Sequence, residues 1–198
     1  MRSLMSYLAR EERRTQIVDA AVALTISDGL AAATVRAVAA AINASPGQIH
    51  HHFPSADALR AEAFREFGLR LEKEYDDISS SLTPFDQLFL LLDCDSYDSG
   101  PGVERLWKEA IFASGQNSLI RESVQAVLEG WRVRVADALL AVVAERGLVV
   151  AGDLHVSSRR LIGIAIGWDV LTDFNFQRPD RNTDLSSYIE FELSGLIG

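Results

Sequence analysis

Cysteine is almost missing from this sequence: Cys94 stands alone. That excludes an internal disulfide framework and any metal site built from several thiolates. Long apolar runs are missing too. The richest window, Leu161–Leu171, is too short to span a bilayer, and the amino terminus shows no long apolar stretch followed by a cleavage site. The expectation is a soluble, cytoplasmic protein with no membrane partner. With five prolines and thirteen glycines in 198 residues, a disordered or collagen-like chain is excluded. No segment alternates apolar and polar residues for long enough to read as a strand. No glycine-rich phosphate loop or zinc-helix motif occurs, and Cys94 has no histidine beside it to activate a thiolate. The reading is therefore not an enzyme, with no cofactor and no metal.

Positive charge is scarce overall, with a formal net of −9, and its distribution matters more than its sum. Residues 1–53 carry five arginines against four acids, and three of the four histidines; residues 54–198 carry fourteen basic groups against twenty-four acidic ones. Only the amino-terminal quarter tolerates a phosphate backbone; the remainder repels one.

What is present is helix, nearly throughout. Apolar residues recur at helical spacing from Leu8 to Ser27, where Asp28-Gly29 supplies a stop. Thr34 caps a short second helix that ends at Asn43, the best residue after glycine for a left-handed position. Ser45-Pro46-Gly47-Gln48 then places a capping serine, a proline at the first helical position and a glutamine at the third, the pattern of a capping box. This third helix ends at Phe53-Pro54. Ser55 caps a fourth, in which Leu59, Ala63, Phe67, Leu71 and Tyr75 repeat every four residues. Longer helices follow over about Pro84–Asp93, Val103–Ser114, Leu119–Arg146 (closed by Gly147), Val156–Phe174 and Asp184–Ile197, about nine in all. Asp93, Asp95, Asp98 and Glu104 imitate a calcium loop loosely. Tyr97 fills a ligand slot, however, and Asp98 takes the place of the sharp-turn glycine, so the loop reads as acidic and solvated.

The second helix, the turn Asn43-Ala44-Ser45 and the third helix have helix-turn-helix dimensions, in which the second helix of the pair can lie in a DNA major groove. The stretch TVRAVAAAINASPGQIHHHFPSADAL closely resembles the helix-turn-helix of TetR-type transcriptional regulators. Thr34, Val38, Ala39, Ser45, Gly47, Ile49, His52, Phe53, Ser55 and Leu59 fall in register with it. The resemblance covers about residues 9–65 and implies an all-α protein: a three-helix DNA-binding domain, 1–53, followed by a helical effector-binding and dimerisation domain, 54–198. It places DNA contacts at Thr34, Arg36, Ser45, Pro46, Gln48, His50 and His51. The sequence departs from the pattern at Asn43 (usually glycine), His50 (usually tyrosine) and Ala56 (usually a lysine that reaches phosphate). Gln48 can donate and accept together, which suits an adenine edge. Consecutive histidines on a helix point apart, so His50, His51 and His52 do not share a metal.

The resemblance further implies double-stranded operator DNA as partner, homodimerisation, and a hydrophobic small-molecule effector held in a cavity. Trp107, Phe112, Trp131 and Trp168 are its candidate walls, and Asp169 is a carboxylate inside the apolar run, as polar anchor. The eighth helix is apolar nearly all round, with Gly163 and Gly167 four apart. Together with Leu185, Ile189, Leu193 and Leu196 it reads as the dimer interface. The resulting expectation is a ligand-responsive homodimeric repressor. The alternative is a helical small-molecule-binding or interaction protein that no longer binds DNA specifically, a reading the missing lysine at Ala56 motivates.

Overall fold

The computed structural model describes residues 2–93, 101–172 and 181–197. Among these there are nine α-helices: α1 (Arg2–Asp28), α2 (Val35–Ala41), α3 (Pro46–His52), α4 (Ala56–Ser79), α5 (Pro84–Leu92), α6 (Pro101–Ser114), α7 (Ser118–Glu145), α8 (Leu154–Thr172) and α9 (Arg181–Leu196), with one 3-10 turn at Leu30–Ala32. The all-α architecture agrees with the sequence. The first helix starts at Arg2, earlier than its apolar periodicity suggests, because no proline or glycine interrupts residues 2–8. Cys94, the calcium-like positions Asp95, Tyr97 and Asp98, and the end expected at Phe174 lie outside the described residues.

The chain divides into two compact units, Met1–Leu71 with Ser99–Val127, and Glu72–Asp98 with Leu128–Gly198. In the first, Ile17, Val22, Val38, Ile49, Leu59, Phe64, Phe67 and Leu106 are buried. Trp107 meets the rings of Phe64 and Phe67 edge-on, at centroid separations of 5.2 and 6.3 Å. Ser123 donates to the Ala61 carbonyl at 2.6 Å, tying the start of α7 to α4. Beside that bond, Gly68 is needed for close approach: a Cβ there would come within 2.7 Å of the Val127 methyls. The ion pairs Arg14–Glu62 and Arg70–Asp19 join α1 to α4.

The second unit packs Tyr75, Leu88, Leu92, Leu139, Val142, Leu161, Leu185, Ile189, Leu193 and Leu196 into one core. Gly147, in the left-handed conformation at φ +66°, closes α7, and the Leu148 N–H returns to the Val143 carbonyl. Asp153 caps α8 by accepting the N–H groups of His155 and Val156 at 2.8 and 3.2 Å, which holds its carboxyl below the usual range. An antiparallel bridge, Val150 with Ile197, fastens the end of α9, and the N–H groups of Ala151 and Gly152 both donate to the Leu196 carbonyl.

Candidate nucleic-acid interface

The helix-turn-helix is built from local chemistry. Thr34 Oγ1 accepts the Ala37 N–H at 3.1 Å, starting α2. Asn43 takes φ +52° and turns the chain, while the Ala44 N–H donates to the Ala39 carbonyl at 2.8 Å. The capping box is complete. Ser45 Oγ accepts the Gln48 N–H at 3.4 Å, and Gln48 Oε1 accepts the Ser45 N–H at 3.2 Å. Each helix is anchored from below: Val38, Ala39, Ile49 and Phe53 are buried. The spacing of these anchors turns the opposite faces toward solvent. Thr34, Arg36, Ser45, Pro46, Gln48, His50 and His51 are all exposed.

Charge around this face comes from few groups. Among the described residues of the first unit, Arg14, Arg60, Arg65 and Arg70 are ion-paired, whereas Arg10, Arg13 and Arg36 are not. The Arg14 guanidinium also lies 5.2 Å from the Phe53 ring centroid. His52, half-buried at the end of α3, packs edge-on to His51, with centroids 5.4 Å apart. Burial holds its pKa below the ordinary value, helped by the positive fields of His51, Arg10 and Arg14 against a small opposing effect of Glu11. The convergence of α1 arginines on the end of α3 is tertiary, and the residue spacing along α1 gave no sign of it. At the start of α4, Ser55 Oγ accepts the Ala58 N–H at 3.0 Å, and the first turn carries Ala56 and Asp57 but no cation.

The residues expected to hold an effector are divided between the two units. Trp107 belongs to the aromatic core of the first unit. Phe112 is 78% exposed, so it does not wall an interior: the buried stripe of α6 is Val103, Leu106 and Ala110, and Phe112 falls off it. In the second unit Trp131 Nε1 donates to the Leu91 carbonyl at 2.8 Å, and Trp168 meets Tyr188 edge-on at 6.1 Å. Asp169 is half-buried, less enclosed than its apolar flanks suggest. Among the described residues no three His, Cys, Asp or Glu side chains gather as a metal-binding group, and no helix is long and apolar enough to cross a membrane.

The expected dimer seam needs correction. Leu185, Ile189, Leu193 and Leu196 are at most 3% exposed within the single chain, so they face their own core. An apolar stripe buries itself on the nearest apolar surface, and α5 and α8 of the same unit supply one. The outward side of α9 instead carries Tyr188 and Phe191, 42% and 71% exposed. On α8, Val170 and Leu171 are exposed, and a Cβ added at Gly163 or Gly167 would meet open space.

Residues 17–63 match the family of bacterial regulatory proteins of the tetR type. The HTH-type transcriptional repressor KstR2 of Rhodococcus jostii (strain RHA1) is 38% identical over 69 residues, which span 35% of this chain and about a third (34%) of that relative. Along nearly its whole length the chain shares the fold of a TetR-family regulator from Rhodococcus sp., with TM-score 0.72 at 17% identity, covering 95% of this chain and 100% of that one. A regulator from Saccharomonospora viridis, solved in complex with choline, gives TM-score 0.69 at 17% identity, covering 95% and 99%. The amino-terminal helix-turn-helix, residues 17–63, is thus of the tetR type, and the fold that continues from it is the one these regulators share.

Proposed function

We propose that this protein is a cytoplasmic homodimeric transcriptional repressor that leaves its operator when a small molecule binds. Residues 1–53 form the DNA-binding domain and residues 54–198 the effector-binding and dimerisation domain; no catalysis is involved. The observation that carries the reading is the capped, buried-from-below pair α2–α3, with all seven candidate contact residues in solvent. Gln48, Pro46 and His50 face base edges, while Thr34, Arg36, Ser45 and His51 meet backbone phosphates, joined by Arg10 and Arg13 in place of the missing lysine at Ala56.

Two protomers meet across the outward sides of α8 and α9, where Gly163 and Gly167 admit a partner backbone and Tyr188 and Phe191 supply apolar area. The effector is a hydrophobic molecule, aromatic or cationic. Trp131, Trp168 and Asp169 provide ring faces and a carboxylate for it. A neighbour of the same fold in complex with choline supports a cationic class. Binding releases DNA only to the extent that the ligand prefers the conformation whose recognition helices are wrongly spaced for the grooves.

The test is retention of a random duplex pool on the purified protein, followed by sequencing. Enrichment of a pseudo-palindrome is expected. One feature favours a second reading, a helical ligand-binding protein without specific DNA recognition: the first turn of α4 offers DNA no cation, and its acid, Asp57, is paired with Arg60. A pool that emerges unenriched decides for it.

A further inference from the structure

Resting on the DNA-binding reading, we propose that the DNA backbone draws a proton onto His52, so that the operator is held more tightly as pH falls.

The geometry at the end of α3 supplies the site. The helix has seven residues, Pro46–His52. At the ordinary rise that is about 10 Å, against a major groove about 12 Å wide, so neither end lies far from a phosphate wall. At the carboxy-terminal end the rings of His51 and His52 stand edge-on, with centroids 5.4 Å apart. From α1, Arg10 and Arg14 bring positive charge to the same point, together with the acid Glu11. Arg14 lies over the Phe53 ring at 5.2 Å and is paired with Glu62 of α4, which holds Arg65 as well. Basic side chains thus gather from two helices where a phosphate would dock, and Arg10 and His51 are exposed to meet it.

In the free protein this gathering works against a charge on His52. Burial opposes it first, then the positive fields of His51, Arg10 and Arg14; among the described groups acting on it, Glu11 alone favours the charge. A phosphate set among these side chains reverses the balance. It offsets the positive fields and offers an acceptor to an imidazolium N–H. Arginine keeps its charge throughout, so only a histidine can answer the phosphate by binding a proton. His51 is exposed, whereas His52 is half-buried. Fields are screened less at the more enclosed ring, so the change falls hardest on His52. Because the complex then holds the proton more firmly than the free protein does, binding takes up protons and strengthens as they become available. A rise of about one pH unit in the titration of His52 strengthens binding by up to about tenfold for each protomer.

The chain has four histidines, few enough for their ring C–H signals to be resolved and assigned. The experiment titrates these signals by NMR in wild-type protein, free and bound to the enriched duplex. It also measures affinity at fixed ionic strength at pH 8 and pH 6, roughly bracketing histidine titration, for the wild type and for His52→Asn. The His52 signal should titrate at higher pH in the complex. Wild-type affinity should rise by about tenfold or more from pH 8 to pH 6, and His52→Asn should reduce that rise to within about threefold. Since phosphate carries no sequence, an unrelated duplex should show the same rise. A His52 signal that titrates no higher with DNA bound, or a rise in affinity that survives His52→Asn, overturns this inference alone. A wild-type protein that binds no duplex overturns the DNA-binding reading, and this inference with it.

Discussion

Glu109, on α6, accepts a hydrogen bond from the backbone N–H of Leu30, directly after the glycine that ends α1. One turn earlier on α6, Arg105 donates to the carbonyls of Ile26 and Ser27 at 2.8 Å each. An arginine thus meets the orphan carbonyls of a helix end while a carboxylate meets the first free N–H beyond it. Gly29 sits between them at φ +93°, and a Cβ there would lie 2.7 Å from the Glu109 carboxylate. These bonds set the register of α6 against α1.

Glu109→Ala should therefore lower stability by about 1 kcal/mol, the ordinary worth of such a bond at a half-exposed site. Gly29→Ala should cost at least as much, because it adds left-handed strain to the crowding. The double variant should lose less than the sum, since both changes break the same bond. Urea unfolding of the four proteins checks this; strict additivity would show that the two residues are not coupled.

How much of this was legible beforehand depended on distance along the chain. The capping box at Ser45–Gln48, the left-handed Asn43 and the stops at Gly29 and Gly147 are settled by neighbours within a few residues, and each could be read directly. The stripe Leu185, Ile189, Leu193 and Leu196 was read correctly as apolar and facing a surface. Periodicity cannot tell whether that surface belongs to the same chain or to a partner, and the stripe proved to be core. The exposure of Phe112 and the convergence of Arg10 and Arg14 on His52 have a related cause: which helix packs on which is a tertiary choice that no short spacing records.

DNA binding should depend on salt through few charges. Arg10, Arg13 and Arg36 on each of two protomers give a slope of log affinity against log salt of about −5, and Arg36→Ala should flatten it by about 2. Because phosphate contacts carry no sequence information, the loss should be equal for operator and unrelated duplexes. Anisotropy titrations between 50 and 200 mM salt, roughly the range in which such slopes are resolved, provide the check. A variant that loses operator binding while keeping non-specific binding would place Arg36 on a base.

Acid should weaken the fold through His52. The pKa of His52 lies below its ordinary value of 6.5 in the folded state, first through burial and then through His51, Arg10 and Arg14. The unfolded chain therefore takes up a proton more readily than the folded one. The contribution to stability is complete above about pH 6.5 and is lost as pH falls from there through the lower folded value. Asp76, Asp153 and Glu190, held low by Arg134, by backbone N–H groups and by Arg146 respectively, add their losses as pH falls through the ordinary carboxylate range and on toward their lower folded values. Urea midpoints at pH 7.5 and 5.5, roughly bracketing histidine titration, should differ for the wild type and converge for His52→Asn. A difference that survives the substitution would assign the effect elsewhere.

The dimer can be tested without disturbing the protomer. A Cβ at Gly167 meets nothing within 4 Å in the single chain, so Gly167→Leu should leave the helical content of the protomer unchanged by circular dichroism. Against a partner backbone it should clash, giving monomers by light scattering and abolishing cooperative operator binding. A Gly167→Leu protein that stays dimeric moves the interface off α8.

For the effector, tryptophan fluorescence should report a hydrophobic quaternary ammonium probe. Asp169→Asn should weaken that probe by about tenfold while leaving neutral aromatic probes unchanged. Equal affinity of both proteins for the cation would make Asp169 a structural residue.

The central claim is that two copies of α3 enter neighbouring grooves of one duplex. Cleavage protection on both strands of the enriched duplex measures this directly. Two symmetric protected segments should appear on one face, centred about 34–36 Å apart or at a multiple of that spacing. A single protected segment, or protection that ignores sequence, would contradict it.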